Sequence, residues 1–120
     1  IRSNYVDQSI LIWISMCRTY KFIGDFSSMI ISEKFNSYQS TLEYNDFNHF
    51  FESQQVLHEE LNTLKESTRK KLRQVIYRIM KDLNLISRKM EITPLLPSFE
   101  LKQVSKSTIN DLHLFLPGLI

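Results

Sequence analysis

Residues 67–83 read STRKKLRQVIYRIMKDL. Leu72, Val75, Ile76, Ile79, Met80 and Leu83 recur at steps of three and four, the spacing of one face of an α-helix. Glu66 and Ser67 place a carboxylate and a hydroxyl at the start, where they suit the helix dipole. Asn84 is a suitable C-cap residue at the other end. At about 100° per residue, with the apolar stripe centred on Leu72, Ile76, Ile79 and Leu83, the opposite face presents Lys70, Lys71, Gln74, Tyr77, Arg78 and Lys81. Arg69 and Arg73 flank the stripe. The segment therefore predicts an amphipathic helix with a strongly basic outer face.

Upstream, helical spacing continues. Val6, Ile10, Trp13, Ile14 and Cys17 form one stripe, widened by Leu11, Ile12 and Met16, so this helix belongs at the centre of the core and ends near Thr19 or Tyr20. Phe22, Ile23, Phe26, Met29 and Ile30 form a second stripe that fades at residues 35–37, with Gly24 weakening its first turn. Residues 36–41 are a polar connection. Asn45 or Asp46 caps a third helix, with Phe47, Phe50, Phe51, Val56 and Leu57 inward and Glu52, Glu59 and Glu60 outward. Leu61 and Leu64 anchor a short turn before the basic helix.

Downstream, residues 85–87 and 90–93 read as two short strands around Arg88 and Lys89, a small β-hairpin or wing. Pro94 and Pro97 interrupt the chain. Ser107 or Thr108 caps a last helix with Ile109, Leu112 and Phe115 inward, stopped by Pro117 and Gly118. The order of helix, turn, basic helix and hairpin is that of a winged helix-turn-helix.

The bulk numbers agree with a helical domain. The chain has 120 residues, enough for one core without disulfides or metals. Only two Gly and three Pro occur, fewer than a sandwich or doubly wound sheet needs for its turns. The expected fold is mainly α, with about five helices and a small C-terminal β-hairpin. It forms a single domain over 1–120: a helical core over 1–44, a helix-turn-helix plus wing over 45–93, and a C-terminal helix over 94–120. Cys17 stands alone, so no internal disulfide framework exists, and its apolar neighbours make it a buried small side chain rather than a catalytic thiol. The apolar stretch from Gln8 to Cys17 is too short for a membrane span and lacks the features of a signal peptide. A soluble protein of the cytoplasm is expected. The apolar ending from Leu114 to Ile120 suits a covering partner.

Charge distribution is the main functional clue. Residues 65–89 hold nine Lys or Arg against Glu66 and Asp82, a net charge of +7 in a chain whose total is +2. Fixed cations of this kind neutralise phosphates and release condensed counterions. Arg and Gln can also read base edges, and Tyr77 can stack on an exposed base or touch a sugar. The candidate nucleic-acid contacts are Arg69, Lys70, Lys71, Arg73, Gln74, Tyr77, Arg78 and Lys81, with Arg88 and Lys89 at the hairpin tip. Two alternatives stand beside this: a merely solvated face, or pairing with the acidic third helix inside the protein.

Other chemistry finds no support. His49 and His58 lie half a turn out of phase, no paired-cysteine or paired-histidine spacing occurs, and no metal site is expected. Glu59 and Glu60 are adjacent and diverge. No phosphate-binding loop, dinucleotide fingerprint or nucleophile elbow occurs. No catalytic residue and no cofactor is expected.

Residues 50–87, FFESQQVLHEELNTLKESTRKKLRQVIYRIMKDLNLIS, resemble the BrxA family of BREX phage-defence systems. Residues 11–26, LIWISMCRTYKFIGDF, resemble an upstream segment of the same family. The resemblance is most specific between Ser67 and Arg78. It implies a helix-rich protein with NusB-like and winged-helix-like features that binds DNA without an activity of its own, beside other BREX proteins. It also implies additional sequence before this region in members generally. The rival function is a protein-interaction scaffold whose basic helix docks on an acidic partner subunit.

Overall fold

The computed structural model describes residues 5–102, 110 and 114–116. Helix α1 spans Tyr5–Thr19 and buries Ile10, Trp13, Ile14 and Cys17, while Val6, Leu11 and Ile12, expected in the same widened stripe, are exposed. Tyr20 breaks the helix with an extended backbone, and α2 begins at once over Lys21–Phe26. The two helices approach closely at Gly24. A Cβ there would lie 2.7 Å from the Cys17 carbonyl oxygen. Gly24 is thus a packing residue, not only a weak helix former.

The second stripe runs on without a break but changes its winding. A π-helical stretch, Ser27–Ser32, joins α2 to α3 at Glu33–Asn36. A π turn holds more residues than an α turn, so the inward face slips along the sequence. Ser27, Ile31 and Ser32 become buried, while Met29, expected inward, is 51% exposed. Trp13 Nε1 donates to Ser27 Oγ at 3.0 Å, and that hydroxyl donates to the Phe115 carbonyl at 2.6 Å. Phe115 is tied to α1 through one serine.

Helix α4, Tyr44–Leu57, starts with a capping box in which Glu43 and Asp46 satisfy each other's backbone N–H groups. Asp46 therefore caps from the third helical position. Its Oδ2 accepts from Glu43 N at 2.6 Å and from Lys34 Nζ at 2.7 Å. Phe47, Phe50 and Phe51 enter the core as expected, and Gln54 takes the next inward position. Val56 and Leu57 do not line the inner side; they are exposed. Phe22 and Phe26 meet this helix edge-on, with ring centroids 5.1 Å and 5.4 Å from Phe50. Such pairs contribute about 1 kcal/mol each beyond burial.

A 3-10 turn, Glu59–Thr63, leads to α5 over Glu66–Asp82. Asn84 ends α5 in the left-handed region at φ 64°. A short helix α6, Phe99–Lys102, which the spacing did not predict, follows. Its entry is tied to α1, since the Ser98 N–H and hydroxyl both donate to the Asp7 carboxylate. The expected last helix over residues 107–116 lies mostly outside the described residues; of its inward positions, Phe115 is buried.

The expected hairpin is a correction. Among the described residues there is no β-strand, only isolated bridges between Ile86 and Ile92 and between Thr41 and Glu91. Three features prevent a ladder. Asn84 and Met90 both sit at positive φ, so the chain reverses at each end of a very short run. The Ser87 hydroxyl accepts from the N–H groups of Lys89 and Glu91, which closes the turn locally. The two arms exchange only a few backbone bonds, Ser87 N to Glu91 O and Thr93 N to Leu85 O, both at 2.8 Å, and the second arm also pairs with the connection before α4: Leu42 N donates to Met90 O at 2.7 Å and Ile92 N to Ser40 O at 2.6 Å. Leu85, Ile86 and Ile92 are buried, so the segment is a plug on the core, and the winged-helix description does not apply.

Candidate nucleic-acid interface

Helix α5 buries Ile76, Tyr77 and Met80, with Leu72, Ile79 and Leu83 partly buried against the core. The helix is therefore rotated from the expected phase toward its Arg69, Arg73 and Tyr77 edge. Val75, expected inward, is 54% exposed. Tyr77, expected outward, is 3% exposed.

Tyr77 belongs to the core for a reason single-sequence periodicity does not carry. Its ring stacks on Phe26 at 6.1 Å and meets Phe47 edge-on at 6.3 Å. Its hydroxyl donates to the Glu43 carbonyl at 2.8 Å. Burial, with the Asp46 charge as a smaller contributor, pushes the phenol well above its ordinary range, so it stays a neutral donor. Tyr77 offers no surface for stacking on a base.

The remaining outward positions hold. Lys70, Lys71, Gln74, Arg78 and Lys81 are all exposed. At about 100° per residue they fall within a sector of about 100°, and from Lys70 to Lys81 they cover about 16 Å of helix axis. Among the described residues, no carboxylate forms an ion pair with any of these four cations. Arg88 and Lys89 are exposed on the turn that replaces the expected hairpin.

The acidic helix α4 does not neutralise this face. Its Asp46 is engaged by Lys34, and Glu52 is exposed without an ion pair among the described residues. Contact between α4 and α5 is aromatic instead. The Arg69 guanidinium lies 5.4 Å from the Phe51 ring centre, and that of Arg73 lies 4.3 Å from the Tyr44 ring centre. Both arginines are half-buried at the helix junction, not on the open strip. There they line a cleft of about 100 Å³ together with Asn48, Glu66 and Lys70. Asn48 and Glu66 were not among the expected contacts. Their proximity depends on how two helices pack, which neither helix's own pattern records.

No group of three or more metal-ligating side chains occurs among the described residues, and none of their helices is long and apolar enough to cross a membrane. His113 lies outside the described residues.

A family model described as BrxA matches residues 2–108. No curated protein and no solved structure matches the chain.

Proposed function

The chain belongs to the BrxA family, and from that premise we propose that it is a non-enzymatic DNA-binding accessory subunit of a BREX-type phage-defence system. The outer face of α5 grips the phosphate backbone through Lys70, Lys71, Arg78 and Lys81, with Gln74 among them and Arg88 and Lys89 assisting. Contacts to phosphates carry little sequence information, so sequence preference is weak.

The observation that supports this reading is the open, unpaired basic strip. Solvated lysines on an ordinary helix are commonly matched by carboxylates one turn away. Here Glu66 and Asp82 stand one turn from Lys70 and Arg78, yet among the described residues neither carboxylate pairs with a cation of the strip. A strip of about 16 Å corresponds to roughly five base pairs of duplex rise, enough for several phosphates of one strand.

The test is binding of a labelled random-sequence duplex at a series of salt concentrations. The reading predicts binding that weakens linearly in log affinity against log salt. Failure to bind at low salt contradicts it.

A further inference from the structure

We propose that the cleft between α4 and α5 is a seat for one phosphate group, built on the half-buried Arg69 and Arg73 and meeting the exposed strip at Lys70. The inference rests on the DNA reading only for the molecule that carries the phosphate. The oxyanion chemistry stands on the cleft itself.

Three cations, Arg69, Lys70 and Arg73, line the cleft against one carboxylate, Glu66. Among the described residues none of the three forms an ion pair with that carboxylate or any other. Asn48 adds an amide donor from α4. Arg73 Nε is buried and has no hydrogen-bond partner among the described residues. A buried guanidinium donor without an acceptor is unfavourable, and a phosphate oxygen entering the cleft that Arg73 lines satisfies it once the side chain shifts toward the opening, in the fork geometry that a guanidinium presents.

The aromatic contacts explain how such a seat holds its shape. Tyr44 and Phe51 lie seven residues apart on α4, and Arg73 and Arg69 lie four apart on α5, one ring to each guanidinium. Each ring limits the rotamers of its arginine before any anion arrives, so less side-chain freedom is lost on binding. Arg78, the arginine of the exposed strip, has no ring contact of this kind among the described residues. The cleft volume of about 100 Å³ is large enough for one tetrahedral oxyanion. Glu66, in the same lining, lowers the affinity for a free dianion by like-charge repulsion.

The experiment titrates the chain with inorganic phosphate at low salt and follows arginine Nε–H signals by nuclear magnetic resonance. A random duplex is titrated in parallel. The seat predicts that Arg73 and Arg69 signals shift and saturate while Arg78 and Arg88 stay in place. Glu66→Gln tightens phosphate roughly fivefold, and Arg73→Lys weakens it roughly tenfold. Asn48→Ala, which leaves both aromatic contacts intact, weakens it as well and covers the case in which Arg73→Lys disturbs the packing. Selective, saturable shifts without duplex binding keep the seat and overturn the DNA reading. Duplex binding with no arginine shift by phosphate, or with all arginines shifting alike, overturns the seat and leaves the strip.

Discussion

The Tyr77 hydroxyl donates to the Glu43 carbonyl 2.8 Å away, which locks the middle of α5 to the start of α4. The bond fixes which side of α5 faces out. Tyr77→Phe keeps the ring packing and removes only the donor, so it lowers unfolding free energy by about 1 kcal/mol. Urea denaturation measures this. Duplex affinity stays at the wild-type value, because the side chain is not on the binding face.

The same residue predicts an alkaline limit. The Tyr77 phenol is held above its ordinary value of 10.0 in the folded chain. The folded state then keeps a proton that the unfolded state releases. Its contribution is fully present below about pH 10 and declines as pH rises from there toward the folded value. Denaturation midpoints measured across this range fall more steeply for the wild type than for Tyr77→Phe. Parallel curves would contradict the assignment.

Gly24→Ala separates packing from propensity. Helix propensity alone favours alanine by about 1 kcal/mol. The structure predicts the opposite sign, since the added Cβ would sit 2.7 Å from the Cys17 carbonyl oxygen and 3.2 Å from Phe115 Cε1. The expected net loss is about 1–3 kcal/mol, read from thermal or urea unfolding.

Ser27→Ala tests the tie between α1 and Phe115. It leaves the Trp13 indole N–H and the Phe115 carbonyl without their shared partner. A loss of about 2–3 kcal/mol is expected, with a change in tryptophan fluorescence reporting the altered indole environment.

The regular parts of this fold are legible in the sequence because they repeat. The α1 stripe from Ile10 to Cys17 and the Phe47, Phe50 and Phe51 face of α4 follow spacing alone. Three features do not. The π-helical stretch shifts the inward face at Ser27, Ile31 and Ser32, and no local residue type announces it. Tyr77 resembles an outward residue until Phe26, Phe47 and Glu43 are brought around it by tertiary packing. Residues 85–87 and 90–93 read as two short strands, yet between them only Ile86 and Ile92 form a bridge, and Met90 turns the chain at positive φ. For the candidate interface, the cation strip from Lys70 to Lys81 is visible from helical geometry. The cleft is not, because it needs the register between Arg69 and Arg73 on α5 and Phe51 and Tyr44 on α4.

The most direct test of the central claim is the salt dependence of duplex affinity for the wild type beside Arg78→Ala and Lys81→Ala. Both residues are exposed and without ion pairs among the described residues, so their removal leaves the fold in place. If the outer face of α5 grips phosphates, each substitution weakens binding alike across unrelated sequences and reduces the slope of log affinity against log salt by about 1. Wild-type affinity and an unchanged slope in both variants would contradict the account.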